Sequence, residues 1–171
     1  MVLTWILVLL ASYLLGSIPA GYILVKIKKG VDIRNIGSGN VGSTNAVRAA
    51  GRSAGIIVFA VDAGKGALAA ALGLWLGGEQ AAALGIFAGF FAFIGHLFPV
   101  WLKFKGGKGI ATTIGVAFVL TPWLALITLA SWFALLLITG YVSVASCLGG
   151  VALTLACLID AQPWLYTGVF A

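Results

Sequence analysis

AGIIVFAVDAGKGALAAALGLWL, residues 54–76, is the stretch on which the fold turns. As a helix, a run of this length rises about 35 Å, enough to cross a hydrocarbon core of about 30 Å. Its only charges are Asp62 and Lys65, three residues apart and therefore on one helical face, about 12 Å into the span. Charges at such depth are costly and are either paired or functional. This spacing allows both readings: an internal ion pair, or a pair of polar groups facing a cavity.

The rest of the chain agrees with a membrane reading. Of 171 residues, 62% are hydrophobic and 8% charged, against about 25% charged in soluble domains. Lipid leaves only helices or closed barrels as spanning structures. Barrel strands alternate with period two, whereas these apolar runs are unbroken, so the fold class is an all-α polytopic bundle. The net charge of +6 sits beside the spans, which fits orientation and anion binding and gives no reason to invoke nucleic acid. Cys147 and Cys157 stand ten residues apart in one apolar run, about 15 Å of helical rise and beyond disulfide reach.

Working outward, the first span covers Leu3 to Val25. No basic residue precedes its apolar core, and Lys26, Lys28, Lys29, Arg34, Arg48 and Arg52 follow it. It reads as an uncleaved span, not a secretory leader, with the N-terminus outside. Spans are expected at Ala54–Leu76, Ala81–Leu102, Ile110–Leu120 (short and tilted), Leu124–Ile138 and Val142–Ile159. The last nine residues, PWLYTGVFA, are too short to cross and read as a truncated seventh helix. The expectation is thus six spans plus a truncated seventh. Lys103, Lys105 and Lys108 form a second basic loop, while GGEQ, TPW and DAQP carry no Lys or Arg. Both basic loops therefore belong in the cytoplasm.

The first loop contains NIGSGNVGSTN, residues 35–45. Gly37, Gly39 and Gly42 match G-x-G-x-x-G, with Asp62 twenty residues on. That fingerprint requires a strand before it and a parallel sheet around it; a basic linker between membrane helices provides neither. The physical content survives. Glycines let backbone amides converge on an anion, and Ser38, Asn40, Ser43, Thr44 and Asn45 add polar groups. Arg48 follows one turn later on a helix whose amino end faces the same way. The plain alternative is a solvated turn between spans.

KFKGGKG, residues 103–109, repeats the theme with three lysines among Gly106, Gly107 and Gly109. It lacks the Walker spacing, since Lys108 precedes glycine and position 102 is Leu. A headgroup anchor would explain its lysines but not its glycines. His96 has no second His or Cys nearby, so no metal site is expected, and a packed histidine competes with a catalytic one. Ser143, after TGY, suits a helix cap or a pocket wall. No paired carboxylates, Ser-His-Asp set or H-x-x-x-x-D motif is present; residue 101 is Trp. Chemistry here would rest on positioning and charge stabilisation.

GSIPAGY (16–22), RNIGSGNVGSTN (34–45), VDAGKG (61–66), GHLFPVWLKFKGGKGIAT (95–112) and GYVSVAS (140–146), taken together, resemble the successive motifs of bacterial acyl-phosphate:glycerol-3-phosphate acyltransferases. The resemblance runs from Tyr13 to Ser146. It implies a single membrane domain (1–171) of the inner membrane, with seven helices and its site facing the cytoplasm. The implied reaction moves an acyl group from acyl phosphate to the sn-1 hydroxyl of glycerol 3-phosphate, giving lysophosphatidate and phosphate in phospholipid biosynthesis. It calls for no cofactor and no metal; the partners are the two substrates and membrane lipids.

By the same resemblance, Lys108, Arg48 and Ser38 are the catalytic candidates. Gly37, Gly39, Asn40, Gly42, Thr44, Asn45, Lys65, His96, Gly106, Gly107 and Ser143 are the substrate-binding ones. Position 43 is Ser where Ala is usual, and the sequence stops at Ala171, before the histidine-and-asparagine tail the family carries. Two other classes compete. A transporter of a phosphorylated metabolite needs a polar path to the outer face, commonly with repeats near the midplane. A ligand-free scaffold would use Arg48 and Lys108 only for insertion.

Overall fold

The structure is a computed structural model that describes residues 1–160, with side chains through Ala152. Eight α-helices lie in it: α1 (Val2–Gly16), α2 (Ala20–Lys29), α3 (Ser43–Ala50), α4 (Arg52–Leu76), α5 (Ala81–Leu97), α6 (Ile110–Leu120), α7 (Pro122–Thr139) and α8 (Val142–Asp160). The all-α class is as expected; the number of spans is not.

Four segments among the described residues are long and apolar enough to cross a membrane: Val2–Lys29, Arg52–Leu76, Gly78–Leu102 and Pro122–Thr139. This corrects the expectation of six spans plus a truncated seventh. The 11 residues of α6 rise only about 16 Å, half the hydrocarbon thickness. The apolar run Val142–Ala152 opening α8 is in the same short class. The truncated seventh helix was placed on residues outside the described ones.

The first span is also not one rod. α1 and α2 are separated at Ser17–Pro19, with Pro19 as the residue before α2. Proline has no N–H to continue the ladder and crowds the preceding turn, so the helix breaks at SIP and restarts. Lys26, Lys28 and Lys29 fill the last turn of α2, and Gly30 ends it at φ 71°. Cations suit that end of the helix dipole, and glycine suits the left-handed cap.

Small residues let the helices approach closely, the main packing device where lipid competes for apolar surface. Gly16 of α1 lies against the backbone of Ala92 in α5, and Gly115 of α6 against that of Ala63 in α4; a methyl group at either would strike main chain. Large side chains face outward to lipid, among them Ile56, Leu68 and Trp75 on α4 and Ile127 and Leu137 on α7. At the basic end, Val25, Ile33, Val41, Ala46, Val58 and Leu102 form a buried cluster. It clamps the 31–42 loop between α2, α3 and α4.

Candidate functional site

The glycine-rich loop owes its shape to one side chain. Asn45, 1% exposed, donates its amide to the carbonyls of Ile33 (3.1 Å), Ile36 (2.9 Å) and Asn40 (2.8 Å). Its Oδ1 accepts from the Ser38 amide at 3.2 Å. Gly37, at φ +54°, packs so tightly on that oxygen that a Cβ would collide with it. Asn40 in turn accepts from the Gly42 amide at 2.8 Å. The loop is thus folded around Asn45 and turns Ser38 and Asn40 outward, while α3 starts at Ser43. Arg34 is spent elsewhere: it pairs with Asp32 at 2.7 Å and lies over the Tyr22 ring, 5.4 Å from its centroid.

The lysine loop is held by backbone bonds to the end of α5. The Gly106 amide donates to Leu97 and the Gly107 amide to His96, both at 3.0 Å. Lys103 and Phe104 adopt positive φ, 54° and 61°, to fold the chain back over Pro99. This brings Lys108 to the mouth of the same depression that holds the first loop.

That depression is a cleft of about 430 Å³. Ser38, Asn40, Gly42, Thr44, Asn45, Arg48, His96, Lys108 and Ser143 all contribute to its wall. Gly37, Gly39, Lys65, Gly106 and Gly107 are not on it; the four glycines belong to the loops that form the wall, and Lys65 sits behind it. The sequence reading missed Asp62, Tyr141 and Ser146, which also face the cleft. The amino end of α3 was expected here; that α6 and α8 begin here too was not, as Ser43, Ile110 and Val142 on the wall mark. The first amides of a helix lack intrahelical acceptors, so three positive dipole ends converge with two cationic side chains on one space.

Asp62 and His96 on this wall belong to a buried polar cluster that Lys65 completes from behind. Lys65 Nζ is 2.9 Å from Asp62 Oδ1 and donates to the Ile18 carbonyl, 3.0 Å away, at the break between α1 and α2. His96 Nδ1 stands 3.5 Å from the same Asp62 oxygen. Side-chain exposures are 3% for Asp62, 4% for Lys65 and 6% for His96. The Asp–Lys spacing was legible in the sequence; the arrival of His96 from α5 was not.

A second cavity, about 180 Å³, adjoins the cleft and shares Lys108, Ile110 and Ser146 with it. Phe93, Ile114, Leu129 and Trp132 make it apolar. Its wall is fixed by the Trp132 indole N–H, which donates to Ser146 Oγ at 3.1 Å and ties α7 to α8.

Comparison with known proteins places this geometry. The family model described as Glycerol-3-phosphate acyltransferase matches residues 6–171. The chain is 45% identical over 159 residues to a glycerol-3-phosphate acyltransferase of Bacillus velezensis, covering 93% of this chain and 81% of that protein. It is likewise 45% identical over 163 residues to one of Rhizobium meliloti, covering 95% and 78%. It superposes on the crystal structure of PlsY, an integral membrane glycerol 3-phosphate acyltransferase, in its glycerol 3-phosphate form. The TM-score is 0.85 at 38% identity, over 92% of this chain and 78% of that one. The lysophosphatidic acid form of PlsY gives a TM-score of 0.82 at 37% identity, over 92% and 77%.

Proposed function

The chain belongs to the glycerol-3-phosphate acyltransferase family, and from that premise we propose that the basic cleft is the seat of its acyl transfer. It is a multi-pass membrane enzyme that joins the acyl group of acyl phosphate to glycerol 3-phosphate, yielding lysophosphatidate and phosphate. One observation carries the assignment of the site: a polar cleft with Arg48 and Lys108 on its wall adjoins an apolar chamber through Lys108 itself. An acyl phosphate has that same division, with anion at one end and hydrocarbon at the other.

In this reading Lys108, Arg48 and Ser38 are the catalytic groups. Lys108 and Arg48, both on the cleft wall, hold the negative charge that grows on the departing phosphate. Ser38, Asn40, Thr44 and the amides around Gly42 hold phosphate oxygens, and Ser143 and His96 line the glycerol phosphate side. Asn45, Gly37, Gly39, Gly106 and Gly107 set the shape of the two loops, and Lys65 anchors Asp62. The sn-1 hydroxyl oxygen bonds to the acyl carbon while the carbon–oxygen bond to phosphate breaks, the electron pair leaving with phosphate. The hydroxyl proton passes to a substrate phosphate oxygen, so no protein base is required. Residues 1–171 act as one domain. The cleft lies at the end bearing both basic loops, which supports a cytoplasmic orientation in the inner membrane with the N-terminus outside.

The test is reconstitution. The purified chain, given palmitoyl phosphate and glycerol 3-phosphate, is expected to form lysophosphatidate. Lys108→Ala is expected to lose at least about tenfold in turnover, about 1.4 kcal/mol of transition-state stabilisation. Unchanged turnover in that variant removes Lys108 from the site. Uptake of glycerol 3-phosphate into proteoliposomes without an acyl donor would instead favour transport.

A further inference from the structure

Apart from the edge that His96 presents to the glycerol phosphate side, the buried polar cluster has no role in the chemistry just described, yet it is expensive to maintain. A buried ion pair inside a membrane protein seldom repays its own desolvation, and intramembrane charges mark function. Its position suggests what it does. Lys65 fixes Asp62 on one side and is itself tied to the Ile18 carbonyl, so the carboxylate is anchored within α4 and, through Lys65, to the break between α1 and α2. Asp62 Oδ1 then stands 3.5 Å from Nδ1 of His96, so the anchored carboxylate faces one end of the ring.

The other end of the ring meets the lysine loop. The three atoms nearest to where a Cβ on Gly107 would stand are Nε2, Cε1 and Cδ2 of His96, with Nε2 well inside collision distance. Gly107 therefore packs against the Nε2 end of the imidazole. Its φ is not in the left-handed region, so the ring, not the backbone conformation, demands glycine there. The same glycine donates its amide to the His96 carbonyl. Residue 107 is thus gripped by both the main chain and the side chain of His96, immediately before Lys108.

We propose that His96 is a positioning residue: braced by Asp62 and Lys65, its imidazole is the platform that sets the Gly107 backbone and thereby aims Lys108 at the reacting phosphate. This rests on the assignment of Lys108 to the site. The ring sits between Asp62 at its Nδ1 end and Gly107 at its Nε2 end. The cluster stores orientation instead of protons.

A double-mutant cycle tests it, in the full chain in detergent, read as kcat/KM for glycerol 3-phosphate. Gly107→Ala is expected to lose at least about tenfold, because its methyl displaces either ring or loop. His96→Ala in the same chain removes the three atoms nearest to that methyl, so the double variant is expected to recover to the level of His96→Ala alone. Asp62→Asn is expected to cost little further in the His96→Ala background. If His96 acts directly on substrate, His96→Ala keeps its full loss in a Lys108→Ala background and the two losses multiply, which overturns the proposal; positioning through Lys108 predicts no further loss there.

A defect of stability alone is separated by repeating Gly107→Ala in Lys108→Ala. Positioning predicts no additional loss once the amine is gone, whereas a general folding defect persists there and also overturns the proposal. Native turnover is measured first: its absence counts against the enzymatic assignment, while active native protein with a multiplicative cycle counts only against the platform.

Discussion

The side-chain amide of Asn45 donates to the main-chain carbonyl of Asn40 across 2.8 Å, so the first turn of α3 holds the loop that leads into it. Two more carbonyls, of Ile33 and Ile36, converge on the same nitrogen. Asn45→Ala leaves these buried acceptors unsatisfied, at a cost of about 1–3 kcal/mol. Asn45→Asp is expected to be worse, since it sets a carboxylate among three carbonyl oxygens. Thermal unfolding in detergent checks the order native, Ala, Asp; an Asp variant as stable as native would contradict it.

The ion pair of Asp62 and Lys65 makes a different prediction. Replacing one partner, as in Lys65→Met, strands a buried carboxylate and is expected to cost about 3–5 kcal/mol of stability. Replacing both, Asp62→Asn with Lys65→Met, is expected to recover most of it. Equal losses in the single and double variants would show that the charges do not balance each other.

Chain-length preference should follow the apolar chamber. Gly150 lies on its wall, and a side chain built there meets open space. Gly150→Leu is expected to fill that space and displace about two methylenes of a long acyl chain, about 1.6 kcal/mol or more than tenfold in relative rate. Palmitoyl phosphate should suffer and a short-chain acyl phosphate should not. An unchanged ratio of the two rates would place the hydrocarbon elsewhere.

Outside the spans, Asp32 gives a pH signature. Its carboxylate accepts from the Arg34 side chain and backbone amide. The Arg34 hydrogen bond is the main cause holding its pKa below the usual carboxylate value, against the opposing effect of burial. The folded state therefore binds this proton less readily than the unfolded one. The stabilisation is present above the unfolded pKa of about 4 and is lost as pH falls through the lower folded value. Asp32→Asn is expected to flatten acid destabilisation in that window only. The effect is small, because both partners are partly solvated.

How much of this was legible in the sequence depends on which residues are asked. That the loops of Asn40 and Lys108 share one end of the bundle followed from cations beside apolar runs; that both reach one cleft wall did not, because a shared face fixes no distance between loops. The count of spans did not follow, because Ile110–Leu120, though seen to be short, was still counted as a tilted span when eleven residues rise only about 16 Å. The break at Pro19 was hidden inside an otherwise continuous apolar run. Asn45 was read as a ligand contact because an amide in a polar loop looks the same whether it points into the loop or out of it. Asp62 with His96 was illegible for another reason: it depends on how α4 and α5 dock through small residues, which spacing along the chain does not encode.

Lys108 stands where the cleft and the chamber share a wall, and this fixes the units in which the enzyme senses supply. One reactant is counted in moles per litre of water, the other in molecules per area of bilayer. Diluting the donor with inert lipid, at constant bulk concentration, should therefore slow turnover as though substrate had been withdrawn. Adding more aqueous buffer at constant glycerol 3-phosphate molarity should leave it untouched.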